Sequence, residues 1–342
     1  MDAKITKLRL GRMLSYDWLK IIGTALALIL VWAFVFNITA TAITPAQKFG
    51  VCNYLGNVEY PSGFHKSYAQ AYSENIFSDE VLETTASDLP ASRDVAADVL
   101  QARLAMDEVD AMFVSQQADV RTAYTVEGTD PTTGEKTTET KYRNTYLETF
   151  LASYRFSLHD LSLDGEKSFF KQMENYLNKY YTKGYEDASS LNEEKVEEDF
   201  LARIKRTKDK RYKKSAEIEK GVQESLERIE KYRKALVSFY KYLDEGVVAL
   251  TKTTYEGKGE YDYSFEGIYS INLCPDDRMS ALSSIVGYHK EYVFDEETGE
   301  KKEVVLAKDM NICLFDLNGD EEEFRYEGLL YVVYLIDSCV AK

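Results

Sequence analysis

Ile21-Ile-Gly-Thr-Ala-Leu-Ala-Leu-Ile-Leu-Val-Trp-Ala-Phe-Val-Phe-Asn-Ile-Thr-Ala-Thr-Ala-Ile43 runs for 23 residues without a charge. At about 1.5 Å per residue a helix of that length crosses a hydrocarbon core of about 30 Å. Inside lipid every backbone amide needs an internal partner, so a helix is the conformation this stretch dictates. Trp18 and Lys20 sit at its near end, where an amphipathic ring and a snorkelling ammonium favour the interface. The preceding flank carries Lys4, Lys7, Arg9, Arg12 and Lys20 against Asp2 and Asp17, whereas the other offers only Lys48 before a long acidic chain. The positive-inside rule then keeps the N-terminus cytoplasmic and exports the remainder of the chain. The expected organisation is a basic tail (1–20), a single transmembrane helix (21–43) in the cell membrane, and an extracytoplasmic domain (44–342). A cleaved signal peptide is the competing reading, because Ala40-Thr41-Ala42 has small residues at a cleavage-site spacing.

Outward from that segment, the composition bounds the rest. The 342 residues are 44% hydrophobic and 29% charged, enough for a core. The net charge is −16, and residues 21–342 alone are near −19. Such a domain is repelled by phosphate backbones and anionic headgroups, so no nucleic-acid partner is expected. Cys52, Cys274, Cys313 and Cys339 form no CxxC pair. They read as buried free thiols, with one disulfide, Cys313 to Cys339, as an option in an exported domain.

The exported chain reads as mixed α/β. Ile76–Thr85 is rich in β-formers, and Pro90-Ala-Ser92 opens a helix with Ser92 as its cap. Val95, Val99, Ala102 and Met106 recur at helical spacing as its buried face, and Val109–Val114 follows as an apolar strand. Strand, helix and strand predict a βαβ unit with the two strands paired in parallel. Two hairpins share a D-x-x-T-G-E-K turn, at Asp130–Lys136 and Asp295–Lys301, where Gly134 and Gly299 supply positive φ. Gly267–Leu273 reads as a strand, Pro275–Val286 as a turn and short helix. Ile312–Phe315 and Gly328–Ile336 are strand-like runs that must be buried. One sheet built from both chain ends is expected, interrupted by a charged helical insertion at about 145–250.

That insertion holds helices over Tyr146–Leu158 and Lys167–Tyr181, and then 15 basic and 13 acidic groups in residues 191–245. Ser190 or Asn192 caps the start of the charged region. Within it Ile218, Val222, Leu226, Ile229, Leu236, Tyr240 and Leu243 form one stripe, so a helical hairpin or short coiled coil is predicted. A stripe of this kind is either core or a surface for a protein partner or a second copy, through Ile218, Val222, Leu226, Ile229 and Leu236. The run Ile204–Lys214 holds seven basic residues and reads as a solvated helix face.

Chemistry is sparse. Asp316, Asn318, Asp320 and Glu327 occupy positions 1, 3, 5 and 12 of a calcium-loop spacing, in which hard oxygens suit a hard cation. Position 6 is Glu321 instead of glycine, and Asn318-Gly319 is a hairpin signal, so a plain turn is favoured over a calcium site. His65, His159 and His289 have no neighbours that form a triad, and no nucleophile-elbow, zincin or phosphate-loop motif occurs. No enzyme activity and no other cofactor are expected.

The stretch Ile76–Ser115, with Val99-Leu-Gln-Ala-Arg103-Leu104 and then Asp107-Glu-Val-Asp110-Ala-Met-Phe-Val114, resembles a lobe fragment of extracellular solute-binding proteins. Gly267–Leu273 is similar to the strand that crosses between their lobes. The resemblance covers about sixty residues and carries over no binding residue. The chain departs from that family in its anchor, its charged helices and the lack of a lipobox cysteine. It implies a tethered, degenerate solute-binding-like receptor. The alternative is a non-catalytic structural or adaptor protein whose helical arm docks a partner.

Overall fold

Apolar residues on a membrane-length helix have nothing to bury against within their own turn, and α1 (Lys7–Thr39) shows this directly. Its window Trp18–Phe36 has a mean hydropathy of 2.3 and none of it is buried. This helix is long and apolar enough to cross a membrane. It also begins inside the basic tail, because helical hydrogen bonding does not stop where the lipid would. Residues 1–42 and 43–342 form two separate units. The computed structural model describes residues 7–39, 43, 47–54, 71–72, 74–78, 81–89, 93–116, 118–119, 122–129, 131–132, 134, 136–257, 264–273, 275, 290–294, 301–305, 310–317 and 322–340. Ser92, Cys274, Gly299, Asn318, Asp320 and the helix expected after Pro275 lie outside them, as does the side chain of Cys339.

In the second unit a strand buried on both faces sits in the middle of a sheet. Three strands have that pattern: β1 (Lys48–Tyr54), β3 (Ala111–Ser115) and β10 (Met310–Leu314). With β2 (Glu83–Asp88), β6 (Ala249–Glu256) and β7 (Ser264–Asn272) they form a six-stranded sheet of order β2-β1-β3-β10-β7-β6. The first three strands are parallel, and β10, β7 and β6 run antiparallel to their neighbours. Both chain ends therefore build one mixed sheet, as the sequence predicts. The βαβ expectation needs a correction, since β2 and β3 do not pair with each other. Each pairs in parallel with β1, which lies between them. Phe49 and Val51 of β1 join one core and Cys52 the other, so β1 has two faces to bury and β2 takes the edge.

Between β2 and β3, α2 (Arg93–Ala105) covers one side of the sheet. Its buried face is Ala96 and Leu100, offset by one residue from the expected stripe. Val95 is 48% exposed and Met106 53%. The side that meets Met112, Val114 and Cys313 decides the face, and periodicity alone allows either. With α2 on that side lies α3 (Tyr146–Tyr154), started by a reciprocal capping box between Thr145 and Glu148.

Three helices cover the other side: α4 (Phe169–Asn178), α6 (Ser215–Asp244) and α7 (Glu327–Val340). Their aromatic rings interlock, with Phe170 stacked on Phe239 at 4.9 Å and Tyr326 against Tyr176 and Tyr232 at 5.4 and 5.7 Å. Residues 146–244 thus supply core layers as well as an arm. Two further expectations change here. The run Gly328–Ile336 is buried, but as the helix α7, because its apolar residues satisfy every face of a helix enclosed on all sides. The strand β6, just past the end of the expected helical insertion and assigned no element from sequence, pairs along its length with β7.

The hairpins β4 (Ala123–Thr129) with β5 (Lys136–Tyr142), and β8 (Lys290–Phe294) with β9 (Lys301–Val305), form as expected. Gly134 in the first turn has φ of +75°. Cys52 and Cys313 are buried free thiols, so Cys313 enters no disulfide, and burial pushes its thiol pKa up.

Candidate functional site

The polar centre of the domain forms where β1, β3, β10 and α7 meet. Asp110, the residue before β3, is clamped to Gly50 twice: its amide donates to the Gly50 carbonyl at 2.8 Å, and its Oδ2 accepts from the Gly50 amide at 2.7 Å. A side chain at position 50 would lie 1.9 Å from the Glu108 carbonyl oxygen, so only glycine lets the two backbones approach. Glu327 opens α7 and is buried. Its Oε1 accepts from the Tyr232 hydroxyl at 2.7 Å and its Oε2 from the Ser78 amide at 3.1 Å. Asp110, Glu327, His159 and Arg325, with Leu314, Phe315, Phe324 and Gly328, enclose a cavity of about 10 Å³. That is room for about one water molecule.

Electrostatics follow from enclosure. Burial pushes the Asp110 carboxyl up to about 7; the charges of Glu327 and Asp107 add to the rise, and the Gly50 hydrogen bond opposes it. Glu327 is raised by burial as well, against its hydrogen bonds from Ser78 and Tyr232. His159 is pulled down to about 4, mainly by burial and further by Arg325, with Asp316 opposing. At neutral pH its imidazole is uncharged, tilted against the Phe169 ring at 4.7 Å.

The calcium-loop residues are divided by this arrangement. Asp316 follows β10, with Oδ1 3.8 Å from His159 Nδ1 and 3.7 Å from Arg325 Nε. Glu327, which such a loop would use as its last ligand, has both oxygens engaged by Tyr232 and Ser78. Among the described residues no group of three or more His, Cys, Asp or Glu side chains is arranged to hold a metal ion. His159 stands alone in the sequence; the bridge of Leu158 to Phe315 brings it to Asp316. The one legible signal for this centre is the acidic turn Asp107–Asp110 before a buried strand.

A second polar region is buried at Arg203 and Arg228 and exposed at its far end. The helix α5 (Glu193–Thr207), capped by Asn192 through its side chain to the Lys195 amide at 3.1 Å, packs against α6. Phe200 of α5 and Tyr212 of the connector meet edge to face at 5.0 Å over Gly221 of α6. Arg203 and Arg228, one from each helix, flank Phe324 at 5.3 and 5.4 Å beside a second cavity of about 10 Å³. The basic run 204–214 is therefore not one helix face. α5 ends at Thr207, Lys208 takes a left-handed φ of 54°, and residues 208–214 connect to α6. The apolar stripe also divides: Ile229 and Leu236 are core, whereas Ile218, Val222 and Leu226 are half-buried. A further depression of about 410 Å³, lined by Thr182, Lys183 and Ser189–Glu194, is open to solvent.

Comparison with known protein families, with curated proteins and with solved structures finds no match to this chain.

Proposed function

We propose that the protein is a single-pass membrane protein whose α/β domain lies outside the cytoplasm and works by contact, not by chemistry. Its working surface is the free end of the α5–α6 pair, from Lys205 to Leu226. The asymmetric charge around α1 supports the orientation, since Lys4, Lys7, Arg9, Arg12 and Lys20 precede the apolar window and the acidic domain comes after it. One contrast carries the functional reading. The polar centre at Asp110 and Glu327 leaves room for about 10 Å³, too small for an organic solute, whereas the end of the helix pair shows charge and half-buried apolar side chains to solvent. A solute-binding role needs a cleft that excludes water; among the described residues the two cavities of about 10 Å³ lack the volume and the depression of about 410 Å³ is open to solvent.

A thermal-shift screen of the full chain in detergent against sugars, amino acids, short peptides and divalent ions tests this. A true ligand at 100 times its Kd adds about 2.7 kcal/mol of stability. The expected result is no shift with any of these. A saturable shift with one of them would overturn docking as the function and restore the receptor reading.

A further inference from the structure

We propose that the tip of the α5–α6 hairpin is a docking site for an anionic polysaccharide. The proposal names the partner of the docking surface and rests on the docking reading, because such polymers are met outside the membrane. Seven cations fall between Lys205 and Lys214, with Asp209 as the single acid. That acid is already engaged: Arg211 grips it with Nε at 3.1 Å and Nη2 at 2.8 Å from Oδ2. Lys214, 82% exposed, lies 3.7 Å from Glu217. Lys205, Arg206, Lys208, Lys210 and Lys213 are exposed and, among the described residues, have no ion-pair partner.

The tip is also pre-shaped. The Lys208 and Asp209 amides both donate to the Ile204 carbonyl, Glu217 accepts from the Lys213 and Lys214 amides at 2.9 Å, and Tyr212 is fixed on Phe200. Holding several cations in a fixed array lowers the ordering cost of binding a polyanion.

Shape and chemistry choose the partner class. The surface is the exposed turn between two helices, and four of its five open cations are lysines, which act as point charges and do not fork onto one small anion. A polymer with closely spaced anionic groups suits it better than a discrete ligand. A flat anionic bilayer presents its charge to a whole face of a strongly acidic domain and is repelled by it, whereas a slender chain can engage the tip alone. Single-stranded nucleic acid needs aromatic faces for its bases, and the aromatic residues here, Tyr212 and Phe200, pack on each other.

The test uses the full chain in phosphatidylcholine nanodiscs and fluorescent dextran sulfate as the probe, with neutral dextran and single-stranded DNA of equal charge as comparators. Dextran sulfate should bind, and binding should weaken about tenfold or more between about 50 and about 200 mM salt. Replacing Lys205, Arg206, Lys208, Lys210 and Lys213 together by Gln should cost at least about tenfold in affinity at unchanged melting temperature. The variant with Lys205, Lys208, Lys210 and Lys213 replaced by Arg should retain binding. Replacing Lys4, Lys7, Arg9 and Arg12 by Gln should also leave it intact, which separates the tip from the basic tail. Unchanged affinity in the five-site Gln variant, equal binding of neutral dextran, or tighter binding of DNA would overturn the proposal. Absence of dextran sulfate binding with no small-solute shift removes this partner and leaves docking standing. A small-solute shift removes docking itself.

Discussion

At Asp110 and Glu327 two carboxyls line a small cavity beside a neutral imidazole, whereas at the hairpin tip five exposed cations have no ion-pair partner among the described residues. Both regions gather titratable side chains, and the environment decides what each does with them. In the interior, low dielectric makes ionisation costly, so the carboxyls hold their protons to higher pH and the region is bound up with fold stability. At the tip, water screens the repulsion, so charge costs the fold little and is available to an external partner. The clamp of Gly50 on Asp110 and the ties from Glu327 to Ser78 and Tyr232 make the first region a junction of four elements. The second is held mainly by contacts within its own helix pair, such as Phe200 with Tyr212 and Glu217 with the Lys213 and Lys214 amides.

Breaking the interior should have the largest effect. Gly50→Ala drives a methyl into the Glu108 carbonyl and should destabilise the domain by about 3 kcal/mol or more. Urea denaturation of the full chain in detergent measures it, and a loss below about 1 kcal/mol would show that the two backbones separate easily.

Next comes a pH dependence in which two groups oppose each other. The folded Asp110 carboxyl titrates at about 7, above its unfolded 3.8. Its contribution is full below about pH 4 and is lost as pH rises through about 7. Glu327, also raised, acts in the same direction. His159 titrates at about 4 when folded and 6.5 when unfolded, so its contribution is present above about 6.5 and lost as pH falls through about 4. The wild type should therefore show a shallow profile between pH 4 and 7. Asp110→Asn should uncover a stability that rises with pH over this window, and His159→Gln one that falls, each by on the order of 2 kcal/mol. Matching profiles in the two variants would remove the opposition.

The helix pair should answer more weakly. Asn192→Ala deletes the cap of α5 and should cost about 1 kcal/mol. Lys208→Gly relieves a left-handed lysine and should raise the melting temperature slightly, by the equivalent of about 0.5 kcal/mol. A destabilised Lys208→Gly variant would mean that the connector draws its order from that lysine side chain.

Much of this architecture is legible in the sequence for a simple reason. A 23-residue apolar run, β-rich segments at both ends of the chain and two Thr-Gly turns are local signals, and local sterics and hydrophobicity fix what they form. The capping of α5 by Asn192 belongs to the same class. What failed were choices between equivalent local patterns. Ala96 and Leu100 replace Val95 and Met106 on the inner face because α2 rotates onto Met112 and Val114. Gly328–Ile336 becomes a helix because it is enclosed all round, a condition under which a nine-residue apolar run carries no period.

The sequence by itself determined the membrane-length helix, the mixed α/β class and the sign of charge along each segment, all of which depend on residues close in the chain. Tertiary structure alone decided that β1 lies between β2 and β3. It also decided that Glu327 serves Ser78 and Tyr232, and that the basic run bends into a tip. Those outcomes depend on partners up to 249 residues apart, and a long-range contact leaves no periodic trace in the residues that make it.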